Sequence, residues 1–253
     1  MKIWYSIFNL KAYISNEPAF YPSENYIWTE VLETNWLEIK GELDTHLSAN
    51  PRLIPKLKKQ MVNYHGSWKT MPLMTWGVEF HKNICNFPIT TEVLKQIPGI
   101  VSASFNLLEK NSVIQQHFGD TNASVRVHLG LYIPDKLPDV GFKVNGISRF
   151  WEEGKVLIFC DGYEHSAWNH SNEDRYILLL DIIRPEFIHK KKLICGTVLA
   201  SLFLRSVASK FTFLIYIFLI PLYILHFFAK ISAIILTPLY NLFSRIKANK
   251  KKR

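Results

Sequence analysis

Five side chains between residues 117 and 175 have the types and spacing to do chemistry together. His117 stands in Gln116-His117-Phe118-Gly119-Asp120, and His165 in Asp161-Gly162-Tyr163-Glu164-His165, directly after an apolar run. Arg126 and His128 lie two apart, on one face of a strand that reads Ser124 to Ile133, and Arg175 heads a later strand. Two imidazoles that leave coordination positions open suit non-haem iron(II) and oxygen chemistry. Arginines in the same space suit a small dicarboxylate, which a guanidinium fork can grip with two charge-assisted hydrogen bonds. Polar groups aimed into a closed β-structure need such a partner, because burying them unpaired is costly. A zinc hydrolase is the alternative. Zinc usually takes three protein ligands there, and only His128 or Asp120 offers a third.

These residues need strands to hold them. From Ser124 to Ile133 the chain alternates strictly, with Val125, Val127, Leu129, Leu131 and Ile133 on one face and Arg126, His128, Gly130 and Tyr132 on the other. Packed outward on helices, the aliphatic face leaves the second face lining a cavity. Asn145-Gly146, between Phe142–Val144 and Ile147–Trp151, signals a two-residue hairpin. Lys155 to Phe159 and Tyr176 to Ile183 read as further strands. Short strands with tight turns predict a mainly β domain, a sandwich or barrel. Upstream, Ile27, Val31, Leu32, Trp36, Ile39, Leu43 and Leu47 recur at helical spacing, from an N-cap at Ser23 to a stop at Asn50-Pro51. A shorter helix is predicted over Thr91 to Gln96, ended by Pro98-Gly99.

Charge divides the chain. Of its 30 Lys and Arg, twelve lie from Lys190 onward, where there is no acidic residue. All 21 Asp and Glu precede them, so residues 1–189 carry a net charge of −3. A mildly acidic domain lacks the basic face that nucleic acid requires, and no nucleic-acid partner is expected. The tail reads differently. Phe211 to Ala229 is 19 residues without a formal charge, flanked by shorter apolar runs at Leu193–Leu204 and Ile231–Phe243. Such a helix is roughly 28 Å long, about the hydrocarbon thickness of a bilayer. Lys190-Lys191-Lys192 and Lys247 through Arg253 close its ends. This pattern predicts a membrane anchor over 190–253, either a single helix kinked at Pro221 or a hairpin bent there, and the basic clusters at both ends favour both ends on the cytoplasmic side. Three scattered cysteines, Cys85, Cys160 and Cys195, form no disulfide framework, which suits a reducing compartment. The N-terminal apolar stretch has no cleavage-site pattern, so the domain is expected on the cytoplasmic side.

The ordered motifs are similar to those of the aspartyl/asparaginyl β-hydroxylase-like family of iron(II)/2-oxoglutarate dioxygenases. The stretches that carry the resemblance are His117–Asn122, Arg126–Leu131 with Ile133-Pro134, Trp151–Lys155, Phe159–His165, Trp168-Asn169, Arg175 and Asp181. Upstream they include Trp28-Thr29, Leu32-Glu33, Asn35-Trp36, Glu42-Leu43 and Ser67-Trp68-Lys69, so the resemblance covers about 20–185. It implies a double-stranded β-helix, the jelly-roll form of barrel, and Fe(II), 2-oxoglutarate and O2 as the reactants. It would make His117 and His165 the iron ligands and put Arg126, His128 and Arg175 on 2-oxoglutarate. Trp68 would help form that pocket, and Asn106 stands where mammalian members carry a Ser that touches the cosubstrate. Gly119 replaces the carboxylate found in many related dioxygenases, leaving the facial triad incomplete, and Asp161 would act from behind the ligands. The implied substrates are Asp or Asn side chains of proteins, or acyl chains of lipids at the bilayer. A non-catalytic membrane adaptor with a cupin-like domain is the rival class of function. An adaptor has no need of both histidines and the arginine at these positions.

Overall fold

The computed structural model describes residues 1–7, 12–49, 68–210 and 219–250. The expected helix stop at Asn50-Pro51, Ser67, residues 211–218 of the long apolar run and residues 251–253 lie outside them. In chain order the elements are β1 (Phe20–Tyr21), α1 (Trp28–Thr34), α2 (Trp36–Ala49), β2 (Trp68–Thr75) and β3 (Val78–Glu79). Then come α3 (His81–Ile84), α4 (Pro88–Lys95), β4 (Ile100–Leu108), β5 (Ser112–His117), β6 (Ser124–Tyr132) and β7 (Val140–Val144). The chain continues through β8 (Ile147–Arg149), β9 (Val156–Phe159), β10 (His165–Asn169), β11 (Arg175–Ile183), α5 (Lys191–Lys210) and α6 (Leu219–Lys250).

The strands form two antiparallel sheets, one ordered β1-β9-β6-β11-β4-β2-β3 and the other β5-β10-β7-β8. Between them lies an apolar layer that includes Leu108, Ile114, Phe142, Val144, Phe159, Ala167 and Ile177. This is the expected jelly roll. The outer face of the larger sheet carries the main core. Val125, Val127, Leu129 and Leu131 of β6 pack there with Leu32, Ile39 and Leu43 of the leading helices. The alternation in the sequence therefore set which face turned inward. At Asn145 and Gly146 φ is +46° and +82°, the paired left-handed conformation of a type I′ turn between β7 and β8.

The leading helix departs from the expectation. Ser23 opens a short 3-10 turn and caps nothing, and the helical run breaks at Asn35, whose side-chain amide donates to the Val31 carbonyl at 2.8 Å. That bond satisfies one of the carbonyls a helix end leaves orphaned, and α2 restarts at Trp36. The second helix begins at Pro88, three residues before the expected Thr91. Glu42 of α2 accepts from the backbone N–H groups of Ile89 and Thr90 at 2.7 and 2.8 Å, a cap supplied from a distant element.

The tail does not separate cleanly from the β domain. Ile194, Cys195 and Val198 of α5 share a core with Trp76, Val101, Ala123 and Ile183, so the run read as flanking an anchor is half-buried on the sandwich. Beyond it, Tyr223–Lys250 of α6 is the one helix among the described residues long and apolar enough to cross a membrane, at mean hydropathy 1.4. Pro238 lies inside α6, while Pro221, the expected kink or bend, lies close to residues 211–218, which are outside the described residues.

Gly130 in β6 lets the Trp151–Lys155 loop cross close to the sheet. A Cβ there would sit 2.2 Å from the Glu152 carbonyl oxygen. Gly130→Ala should therefore displace this loop and destabilise the full chain by about 1–3 kcal/mol. Denaturant unfolding in mild detergent would show the loss as a lower midpoint at unchanged slope; an unchanged midpoint would show that the loop yields freely.

Candidate active site

The inward face of β11 carries Arg175, Ile177, Leu179 and Asp181 at strict two-residue spacing, and that of β6 carries Arg126 and His128. His117 ends β5 and His165 begins β10, and the two are register partners. Their rings lie 4.2 Å apart between centroids. One narrow cavity, about 30 Å³, is lined by Trp68, Asn106, His117, Arg126, His128, His165 and Arg175. Seven of the eight residues singled out in the sequence thus meet in one lumen. The eighth, Asp161, sits behind it, with Oδ1 3.6 Å from His165 Nε2.

Both candidate ligand histidines are held the same way. Nδ1 of His117 lies 2.8 Å from the Gln115 carbonyl oxygen, and Nδ1 of His165 lies 2.9 Å from that of Tyr163. A carbonyl can only accept, so each Nδ1 carries the proton and each Nε2 the lone pair, the arrangement a metal ligand needs. Burial lowers the His165 pKa well below the usual imidazole value, helped by His117 and Arg126, which keeps that lone pair unprotonated at neutral pH. Among the described residues no three His, Cys, Asp or Glu side chains are grouped to hold a metal. A Cβ on Gly119 would sit 1.8 Å from Asp161 Oδ2. The space of the missing triad side chain is thus taken by the Asp161 carboxylate itself.

The two arginines have opposite surroundings. Arg126 Nη1 is 2.6 Å from Asp161 and its Nε is 2.8 Å from Asp181 Oδ1. Burial disfavours its charge, but the two carboxylates outweigh burial and raise its pKa. Burial likewise drives Asp161 up to about 7, against the pull of Arg126. Arg126, expected on the cosubstrate, lines the lumen and is paired there with Asp161 and Asp181. Arg175 is 2% exposed and its Nε has no hydrogen-bond partner. Its guanidinium lies 4.5 Å from the Trp151 ring centre. Burial alone lowers its pKa to about 9, so it stays charged at neutral pH. His128 adds a second unmatched donor. Its Nδ1 accepts from Trp151 Nε1–H at 3.1 Å, which leaves the proton on Nε2, buried and without a partner. Burial first, then Arg175 and Arg126, lower its pKa well below the usual range.

Asn106, expected at the cosubstrate, lines the lumen beside Trp68. Its Oδ1 accepts from Trp68 Nε1–H at 3.1 Å, while its amide donates to the Ser104 hydroxyl and carbonyl at 2.8 and 3.1 Å. It fixes the Trp68 wall of the lumen. Two residues of the site carried no assigned role in the sequence reading. Asp181 could have been found from its alternation with Arg175, Ile177 and Leu179. Trp151 lies in a loop after β8, where no periodicity points inward.

A jelly roll with paired imidazoles, a buried arginine and an unpartnered imidazole N–H in its lumen defines a small-ligand site. The sequence profile described as Aspartyl/Asparaginyl beta-hydroxylase matches residues 33–185. This chain belongs to that family. It is 32% identical over 187 residues to the Ornithine lipid ester-linked acyl 2-hydroxylase of Rhizobium tropici, covering 72% of this chain and 66% of that protein. With the human Aspartyl/asparaginyl beta-hydroxylase it shares 30% identity over 200 residues, 74% of this chain and 25% of that one. The chain thus spans just under two thirds of the first relative and a quarter of the second. Among solved structures, HygX from Streptomyces hygroscopicus, with nickel and 2-oxoglutarate bound, aligns at TM-score 0.38 and 11% identity, over 58% of this chain and 79% of that one.

Trp151→Phe keeps a ring beneath Arg175 but removes the donor to His128. A buried acceptor left unsatisfied should lower stability by about 1–3 kcal/mol. Denaturant titration of the full chain checks this, and an unchanged midpoint would mean that His128 finds another donor.

Proposed function

We propose that this protein is an iron(II)- and 2-oxoglutarate-dependent hydroxylase, attached to a membrane, whose substrate is the acyl chain of a lipid. The observation that carries this reading is Arg175: a buried cation with no carboxylate beside it, next to a second unmatched donor on His128. An anion with carboxylates at both ends satisfies both. When bound, iron and 2-oxoglutarate supply the oxidising power: one atom of O2 enters the substrate C–H bond and the other enters succinate as carbon dioxide leaves.

In this reading the chain's own residues bind, orient and shield. His117 and His165 hold the metal through Nε2. Arg175 pairs with the far carboxylate of 2-oxoglutarate, and His128 Nε2–H donates to the same molecule. Arg126 fixes Asp161, which places negative charge behind the metal position. Trp68, steadied by Asn106, closes the side of the lumen. The lumen has room for about one water, so seating the cosubstrate requires these side chains to spread. Residues 1–189 carry the chemistry and 190–253 the attachment, with the domain on the cytoplasmic side, as the basic tail and the free cysteines support.

Two observations favour a lipid substrate. The chain spans far more of the ornithine lipid hydroxylase than of the human enzyme, and its α6 exposes a long apolar surface. Hydroxylation of a protein Asp or Asn side chain is the second reading, supported by the 30% identity to the human Aspartyl/asparaginyl beta-hydroxylase. A non-catalytic adaptor leaves the unmatched Arg175 without a purpose.

Two variants test the assignment. His117→Ala or His165→Ala should abolish 2-oxoglutarate turnover while circular dichroism stays that of the wild type. Coupled turnover at the wild-type rate in either variant would remove the metal assignment. Arg175→Ala should raise the KM for 2-oxoglutarate roughly 30- to 150-fold, the equivalent of ~2–3 kcal/mol for a charge-assisted pair, with Arg175→Lys recovering only part. An unchanged KM would make the arginine structural.

A further inference from the structure

The amphipathic order of α6 is inverted relative to a helix that docks on a water-soluble domain. Apart from Ile234, the residues it turns toward the protein are small or polar. His226, Ala229, Lys230, Ala233, Ile234, Thr237, Asn241, Ser244 and Ala248 are buried or half-buried, at helical spacing along the helix. The opposite face carries Ile224, Phe228, Ile231, Ile235, Leu239, Leu242 and Ile246, each exposed, at steps of three or four. A helix in water does the reverse.

The docked face is held at both ends and in the middle. His226 Nε2 lies 3.2 Å from both the Ser201 hydroxyl and the Thr197 carbonyl oxygen of α5. Gly196 of α5 lets Ile234 approach, since a Cβ there would lie 2.6 Å from its Cγ1. Asn241 accepts from the Glu79 N–H at 2.9 Å and donates to the Gly77 carbonyl at 2.8 Å, both in the β2–β3 hairpin. Were α6 to cross a bilayer at right angles, those partners would enter the hydrocarbon with it. Among them is Glu79, whose carboxylate lies 2.8 Å from His81 Nε2. Charged groups there are costly.

We propose that α6 lies flat in the surface of an anionic membrane, clamped to the domain along its length, with the Ile224–Ile246 stripe sunk among the acyl chains. This rests on the membrane attachment proposed above but not on the hydroxylase reading. Charge supports the choice of occupant. Twelve Lys and Arg and no Asp or Glu lie between Lys190 and Arg253, which suits anionic headgroups and opposes the pairing of two like-charged copies. The same geometry sets the orientation of the lumen. Arg205 of α5 reaches Asp120, three residues past His117. Arg126 pairs across the sheet with Asp181, whose other neighbour Ser102 accepts the Trp76 N–H beside the Gly77 turn. The end of the sandwich that holds the two histidines is therefore the end that the tail fastens to the membrane.

Depth measurement on the full chain tests this. Nitroxide labels are placed singly at Ile224→Cys, Ile235→Cys and Ile246→Cys in a Cys85→Ser background, with the protein bound to phosphatidylcholine/phosphatidylglycerol vesicles. Ile224 and Ile246 are about 33 Å apart along the helix, as long as a bilayer core is thick. An in-plane helix gives three equal depths of roughly 5–10 Å, and binding falls at least ~10-fold without phosphatidylglycerol. A label at 235 near the bilayer centre, with 224 and 246 near opposite surfaces, would overturn the proposal in favour of a crossing helix. Labels that sense no lipid but broaden one another would overturn it in favour of a second copy of the chain. Equal depths without 2-oxoglutarate turnover would leave this inference standing and remove the hydroxylase reading.

Discussion

A positive charge inside a β-sandwich has to be answered, and the two inward arginines of this lumen are answered differently. Arg126 is matched by Asp161 and Asp181, so its charge is settled within the fold. Arg175, more deeply buried, rests against the Trp151 ring and has no carboxylate beside it. Much of the local structure follows from that asymmetry. Trp151 must reach into the lumen to support the guanidinium and orient His128, and its loop approaches only because β6 has no side chain at Gly130. Gly119 must be bare because the Asp161 carboxylate, fixed by Arg126, occupies its side-chain space. A lumen built this way has one fixed charge paired within the fold and one left open to an anion.

The tail extends the same reasoning to the outside of the molecule. Apolar side chains on α6 face outward while His226, Asn241 and small residues face the sandwich, so the medium beyond the helix must be apolar for the arrangement to be favourable. Arg205 ties that tail to the loop that follows His117. The tail and the loop that follows His117 are therefore joined through Asp120.

Much of this was legible in the residues. The strict alternation of Ser124 to Ile133 showed which face of β6 turned inward, and Asn145-Gly146 gave the hairpin, because period and turn chemistry are local properties. The meeting of His117, His165, Arg126, His128 and Arg175 was legible from motif order. What was hidden depends on distant partners. The break at Asn35 and the early start of α4 under Glu42 come from side chains meeting backbone groups, which no window of sequence reports. Trp151 escaped because a loop has no period. The pairing of Arg126 with two carboxylates, and the isolation of Arg175, emerge only when the sheets are closed. The tail read as uniformly apolar in sequence; its two faces separated only once the docked side was known.

The central claim is that the unmatched Arg175 and His128 donors, with the His117–His165 pair, form a metal-dependent dicarboxylate site. Anaerobic calorimetric titration of the full chain with 2-oxoglutarate, with and without Fe(II), tests it most directly. The account predicts saturable binding of one 2-oxoglutarate per chain, much tighter when Fe(II) is present. No saturable binding with the metal bound, or binding indifferent to it, would contradict the account.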